Sequence, residues 1–258
     1  MLLAGGNGVR FGSAKPLARL GRRPILEWAL ASAREFSTGV VLVLPYEAIR
    51  DHSLGGHPLS GPAEVPGSKG SGPQSASGVL LPPWTDLALD GLVDVVTAGA
   101  STRAGSVRSG LVAVPESAEV IVVHDAARPL ARKALFASVI AAVREGADGA
   151  VPGIDVVDTL KRLAPAPVKP ETGEPSERRD VLATLERSGV VGVQTPQAFQ
   201  AQALRAAHGG HEEASDDASL VESNGGRVVV VPGDRRNLKV TYPADLAIAE
   251  ALAEGWDW

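Results

Sequence analysis

The sequence contains no cysteine, which excludes a disulfide framework, a thiolate nucleophile and a cysteine-ligated zinc site. Basic charge is also short: 25 Lys and Arg stand against 30 Asp and Glu, a formal charge of −5. Without a basic field the chain cannot hold a nucleic-acid backbone non-specifically, and no nucleic-acid partner is expected. Any phosphate must be met by a few local cations. No apolar run approaches membrane-spanning length, so no membrane partner is expected either. The first ten residues, MLLAGGNGVR, turn to glycine after three apolar residues that no basic segment precedes, unlike a secretory signal. A soluble, cytoplasmic protein is the expectation. With 258 residues, one domain able to bury roughly three quarters of its unfolded surface is expected.

Short apolar runs alternate with helical patterns along this chain. VVLVL (40–44), VDVVT (93–97), EVIVVHD (119–125) and RVVVVP (227–232) read as buried strands. Between them, Ile25, Leu26, Ala29, Leu30 and Ala33 recur at helical spacing behind Pro24, a residue tolerated at a first helical position. Leu135, Phe136, Val139, Ile140 and Val143 form a second helical face, with Gly146 placed to end it. A third helix starts near Pro243 and runs through Leu246, Ala249 and Leu252. Such alternation predicts an α/β fold with a mostly parallel sheet flanked by helices.

Two segments break the pattern. Residues 53–78 are dominated by Gly, Pro and Ser and are expected to form a disordered surface insertion. Residues 164–180, APAPVKPETGEPSERRD, form a charged, proline-rich tip between strand-like VVDTLKRL (156–163) and VVGVQTPQ (190–197). Two strands with a long polar tip suggest a projecting arm, over about 156–195, of the kind that reaches a partner subunit.

Several motifs carry chemistry. LLAGGNGVRFGSAK (2–15) runs a strand into a loop with Gly5, Gly6, Gly8 and Gly12, and with Arg10 and Lys15 beside them. Glycines let backbone N–H groups approach phosphate oxygens, and the two cations suit a triphosphate. The same glycines also suit a plain tight turn. Phe11 stands where a dinucleotide loop wants glycine, and no G-K-[ST] follows, so neither an NAD site nor a P-loop fits. HDAARP (124–129) places Asp125 at the carboxyl end of a parallel strand, where such sheets bind ligands. One carboxylate there suits a magnesium ion shared with phosphates, or a helix N-cap. His124 reads as a packed or hydrogen-bonded histidine. In GASTRAGSVRSGL (99–111), beside Arg103, Ser106 suits either a phosphate contact or a helix cap. ASDDASLVESNGG (214–226) reads as a well-capped helix, and Lys239 stands beside a strand end.

In this order, AGGNGVRFG, a lysine before LGRRPIL, AGASTRAGSVRSGL, VVHDAARP, VVDTLKR, VQTPQAF, SDDASLVE and NLKVTYPADLAIAE resemble the 2-C-methyl-D-erythritol 4-phosphate cytidylyltransferase family, across nearly the whole chain. The resemblance implies a Rossmann-like fold with a projecting β-arm for dimerisation. It implies transfer of a cytidylyl group from CTP to 2-C-methyl-D-erythritol 4-phosphate with release of pyrophosphate, a Mg²⁺ requirement, and a homodimer that exchanges arms. By the same likeness Ala4, Gly5, Gly6, Gly8, Ala100, Ser101, Ser106 and Ala126 would meet the nucleotide, and Asp125 the metal. Arg128, Thr159, Ser215 and Lys239 would lie near the sugar phosphate, with Arg187 and Thr195 reaching from the arm into the neighbouring site. Arg10, Lys15, Arg187 and Lys239 would supply the catalytic charge.

This chain departs from the family pattern in three places. The Arg10–Lys15 spacing is about two residues short, with Ala14 where proline usually precedes the lysine. Only three residues precede Ala4, where a central strand has ~5, so a start farther upstream is expected. Ser215 replaces the common threonine and keeps its hydroxyl. The shortened loop leaves open a nucleotide-binding homologue without activity. Related enzymes that use ribitol 5-phosphate keep a second acceptor open.

Overall fold

Four consecutive apolar residues at Val41–Leu44 have no polar face, so a strand built from them must be covered on both sides. The computed structural model describes residues 1–4, 15–51, 78–80, 84, 87, 89–165, 178–210 and 212–254, and it meets that demand with a mostly parallel sheet. β1 (Leu2–Leu3), β4 (Val41–Leu44), β7 (Val95–Ala98) and β8 (Val120–Asp125) run parallel in the order β8-β1-β4-β7. β13 (Gln197–Gln200) is antiparallel, wedged between β8 and β9 (Gly149–Asp155). Farther along, β12 (Val191–Val193) pairs antiparallel with the end of β9, and β14 (Val228–Pro232) lies parallel to it. Outside the sheet, β2 (Arg19–Leu20) pairs with β3 (Arg23–Pro24), and β5 (Ile49–Asp51) with β6 (Gly78–Leu80). β10 (Lys161–Leu163) pairs with β11 (Val181–Thr184).

Strand alternation sorts the core into two layers. Leu2, Leu42 and Leu44 pack with Leu26, Ala29 and Leu30 of α1 (Ile25–Glu35). On the same side Val139 and Val143 of α3 (Lys133–Arg144) meet Ala150 and Ala198. Leu3, Val41, Val43, Ile121 and Val123 point the other way, onto α2 (Arg103–Ala113), α4 (Ala201–Ala207) and α5 (Asp217–Ser223). Each such Leu or Val, fully buried, contributes ~1.5–3 kcal/mol, which is why these runs and not local propensity fix the strands. Pro24 sits just before α1, in extended backbone. Gly146, at φ +106°, follows the end of α3 in a conformation that L side chains rarely adopt. α6 (Ala244–Ala253) packs Ala249 with Leu20, Ile25, Leu130 and Val240.

The order of the strands creates the ligand position. From β1 the chain steps outward through β4 and β7, then returns to β8 on the other side of β1. That reversal is a switch point, whose crevice opens at the carboxyl ends of β1 and β8. Leu3 is the register partner of Asp125 there.

The arm differs from its sequence-based expectation. The partner of residues 161–163 is 181–184, whereas 191–193 joins the main sheet beside β9. Val191 and Val193 find register partners at Asp155 and Gly153, and this closer edge takes the strand away from the arm. Val181 and Leu182 are exposed, at 56% and 61%, so no buried stripe announces β11 in the sequence. Residues 166–177, the insertion from 53 to 77, and loop residues Gly5, Gly6, Gly8, Arg10 and Gly12 lie outside the described residues. Gly78, expected at the end of that insertion, opens β6.

Candidate active site

β8 delivers Asp125 to the switch point because its preceding residues are apolar and its last carboxylate finds two cations. Lys239 Nζ donates to Asp125 Oδ2 at 2.7 Å, and Arg103 Nη2 stands 3.7 Å from Oδ1. Burial alone would raise the carboxyl pKa; the Lys239 and Arg103 charges prevail and hold it at about 2. Asp125 is therefore an ionised carboxylate, and the N-cap alternative fails because α3 begins only at Lys133.

Asp125 is fixed through its backbone by a residue distant in sequence. Its N–H donates to Thr195 Oγ1 at 3.0 Å, and that hydroxyl lies 3.0 Å from His124 Nδ1. Arg128 O, 3.2 Å from His124 Nε2, can only accept, so Nε2 carries the proton of the neutral ring and Nδ1 accepts from the Thr195 hydroxyl. Burial pushes the His124 pKa down to about 3. His124 is thus the packed, hydrogen-bonded histidine the sequence suggested. Thr195 is a correction: it is 5% exposed and bonded within its own chain, and does not reach into a neighbouring site from the arm.

The segment carrying Lys239 is stitched down by amide side chains. Gln194 Nε2 donates to Asp234 O at 2.9 Å, while its Oε1 accepts from Asp234 N at 3.1 Å and Asn237 Nδ2 at 3.3 Å. Asn237 Nδ2 also donates to Thr195 O, and Arg128 Nη1 donates to Asn237 O, at 2.9 and 2.8 Å. Burial lowers the Arg128 pKa, against the pull of Asp125. Lys239, with a side chain 45% exposed, is held over Asp125 by this clasp.

Across the crevice, β7 turns into α2. Gly99 is required there: a Cβ would meet Ser106 Oγ at 2.8 Å and Leu44 O at 3.2 Å. Ser106 Oγ accepts from Ala100 N at 3.0 Å and can donate back to Thr102 O at 2.9 Å, which shapes the loop of Ala100 and Ser101. The cap of α2 is Thr102, whose Oγ1 accepts from Gly105 N at 3.0 Å. Ser106 is therefore not the cap. Ala4 and Ala126 are both buried, tied to Val43 O and Leu3 O through their backbone N–H groups.

The remaining expected residues are less assembled. Lys15 opens a 3-10 turn over Lys15–Leu17. Thr159 and Arg187 are exposed on the arm, where Arg187 Nη1 donates to Val157 O. Ser215 is exposed just ahead of α5, whose cap is Asp216, with Oδ1 accepting from Ser219 N at 3.1 Å. Asp217, the next residue, is fully buried and pairs with Arg103 Nη1 at 2.8 Å and His208 Nε2 at 3.0 Å. Sequence reasoning missed Asp217, Gln194 and Asn237. A second Asp beside a capping Asp has no distinguishing signal, and amide clasps follow no spacing rule.

As a whole the crevice offers one ionised carboxylate, a movable ammonium, a fixed guanidinium and a helix N-terminus. That set can receive polyanions. The chain is similar to known proteins over nearly all its length. A family model described as 2-C-methyl-D-erythritol 4-phosphate cytidylyltransferase matches residues 81–254, and one described as MobA-like NTP transferase domain matches 1–159. A relative from Streptomyces coelicolor named 2-C-methyl-D-erythritol 4-phosphate cytidylyltransferase is 39% identical, spanning 96% of this chain and 82% of its own. One of the same name from Rubrobacter xylanophilus is 36% identical over 98% and 93%. The crystal structure of the Thermus thermophilus protein of that name superposes with a TM-score of 0.65 at 32% identity, covering 98% and 96%.

Proposed function

The chain belongs to the 2-C-methyl-D-erythritol 4-phosphate cytidylyltransferase family, and from that premise we propose how its residues perform the reaction. The protein is a nucleotidyltransferase that joins the cytidylyl group of CTP to 2-C-methyl-D-erythritol 4-phosphate. The products are 4-diphosphocytidyl-2-C-methyl-D-erythritol and pyrophosphate, in a step of non-mevalonate isoprenoid synthesis.

A phosphate oxygen of the acceptor attacks the α-phosphorus of CTP; that O–P bond forms as the bond from the α-phosphorus to the pyrophosphate oxygen breaks. The attacking phosphate is already anionic, so no general base is needed. What the protein must supply is alignment and relief of repulsion between two anions. The observation that carries this reading is the Lys239–Asp125 contact of 2.7 Å at the switch point. That contact supports a cation beside the point where acceptor and nucleotide phosphates would meet. Lys15 and Arg10 meet the triphosphate from the glycine-rich loop of Gly5, Gly6 and Gly8. Ala4, Ala100, Ser101, Ser106 and Ala126 surround the nucleotide, while Arg128, Ser215 and Lys239 flank the acceptor.

Asp125 fits a magnesium site. It is a single ionised carboxylate that already attracts a cation, the Lys239 ammonium. Among the described residues no group of three His, Asp or Glu side chains could hold a metal. Both features suit an ion that takes most of its ligands from water and substrate phosphates. When bound, Mg²⁺ would offset charge on the α- and β-phosphates.

The protein acts as a homodimer in the cytoplasm, with Thr159 and Arg187 of each arm serving the partner's site. The exposed Val157, Val181 and Leu182 of the arm support this, since they leave apolar surface for a second copy to cover. No helix among the described residues is long and apolar enough to cross a membrane.

The test is pyrophosphate release with CTP and Mg²⁺, comparing 2-C-methyl-D-erythritol 4-phosphate with ribitol 5-phosphate, and with ATP, GTP and UTP as controls. Turnover is expected only with CTP and the methylerythritol phosphate. Turnover with ribitol 5-phosphate alone reassigns the acceptor. Binding of CTP without turnover on either acceptor overturns the reading.

A further inference from the structure

Arg103 stands between two aspartates of different character. Asp125 lies at the site; Asp217 lies behind it, fully buried at the start of α5. The shorter contact is to the rear: Nη1 to Asp217 Oδ2 at 2.8 Å, against 3.7 Å from Nη2 to Asp125 Oδ1. Asp217 Oδ1 is taken by His208 Nε2 at 3.0 Å, and His208 is 5% exposed. A buried carboxylate held by one ion pair, to Arg103, and one hydrogen bond, from His208, is a stiff anchor, because displacing the guanidinium leaves a charge uncompensated out of water. Lys239, the other cation on Asp125, has a side chain 45% exposed against 27% for Arg103.

We propose that Arg103, held from behind by Asp217 and His208, is a positioning residue that fixes one oxygen of Asp125 while leaving the other to an exchangeable cation. The inference rests on the reaction proposed above. Arg103 belongs to the first turn of α2, the element that also carries Ser106. The same anchor therefore ties the α2 end of the crevice to the end of β8. Asp125 cannot turn both oxygens toward an incoming cation without leaving Arg103, and Arg103 cannot follow without leaving Asp217. The carboxylate thus offers a single oxygen, Oδ2, where Lys239 now sits. Asp217 and His208 lie behind the crevice, each with a side chain 1% exposed, and act on it only through Arg103.

A replacement of all three members separates positioning from stability. Buried charge clusters exchanged for apolar residues of similar volume often fold as well as the parent. In the triple variant Arg103→Met, Asp217→Leu, His208→Leu, the melting temperature is expected to stay within a few degrees of the parent. Its kcat is expected to fall about tenfold or more, with KM for CTP changed by less than about threefold. Arg103→Lys, which keeps the charge but loses the fork, should retain more turnover than the triple variant. A triple variant with parental melting and parental kcat would make the cluster merely structural and overturn the proposal, while the parent's own turnover leaves the reaction intact. A parent protein without turnover overturns the reaction and this inference together. Should the triple variant not fold, Asp217→Asn decides: it keeps the shape and removes the anchoring charge, and an unchanged kcat refutes the positioning role.

Discussion

Lys239 Nζ and Asp125 Oδ2 lie 2.7 Å apart although 114 residues separate them in sequence. The pair is asymmetric: the lysine side chain is 45% exposed and the carboxylate 13%. Although the lysine is partly solvated, its charge is the largest one offsetting the burial of the Asp125 carboxylate, so the contact contributes to stability as well as placing charge. With Arg103 still beside Asp125, Lys239→Ala is expected to lower the melting temperature by only a few degrees while lowering kcat by about 10²–10³-fold, the scale for losing a charge contact made in a transition state. Thermal melting alongside pyrophosphate-release kinetics checks both halves. A variant with parental turnover would remove Lys239 from the catalytic set.

Acid should unfold the protein earlier than carboxylates alone would cause. His124 has a pKa of about 3 in the folded chain, below its ordinary 6.5, because burial disfavours the charged ring. As pH drops below 6.5 the unfolded chain takes up a proton that the folded one refuses, so stability present above 6.5 is lost progressively down to about 3. Asp125, held at about 2 against an ordinary 3.8, adds a loss of the same sign below 3.8. Urea unfolding from about pH 8 to about pH 4 should therefore show stability falling, and His124→Gln should flatten that slope by up to about one proton. An unchanged slope would mean that the ring is already protonated in the fold.

Much of the fold could be read from the sequence because strands such as β4 and most of β8 are short apolar runs, and a run such as VVLVL has only one stable place, inside. Asp125 was legible for the same reason, as the polar end of EVIVVHD. Thr195 was not. Its place beside Asp125 depends on β13 entering antiparallel between β8 and β9, and no local pattern states which gap a strand will fill. The arm failed similarly: 191–193 suits an arm strand or a sheet edge equally, and only the three-dimensional competition decides.

Thr195 yields a prediction on stability because its hydroxyl serves two partners at once. Thr195→Val keeps the shape but leaves the Asp125 N–H and His124 Nδ1 without their bonds in a buried setting, at a cost of ~1–3 kcal/mol. Thr195→Ser retains the hydroxyl and should recover most of that loss. Denaturant midpoints at constant slope give the comparison. Equal destabilisation of the two variants would assign the role to the threonine methyl.

The arm can be tested apart from the chemistry. Val181 and Leu182 are 56% and 61% exposed on β11, on a two-stranded element that contributes nothing to the central sheet. A charge at Leu182 should leave the domain folded, because no core side chain depends on it. Leu182→Asp is expected to shift the protein from dimer to monomer by light scattering and to abolish turnover, with near-native circular dichroism. If each arm serves the other site, Lys15→Ala and Arg187→Ala, each inactive as a homodimer, should complement on subunit exchange. The mixed dimer carries one damaged site and one intact site, so an equal mixture should recover about a quarter of the parental rate. Leu182→Asp blocks that recovery by preventing the exchange itself. A mixture that exchanges subunits, shown by mass spectrometry of tagged chains, yet stays silent would confine Lys15 and Arg187 to one site within one chain. The β10–β11 pair would then support assembly without contributing to the reaction.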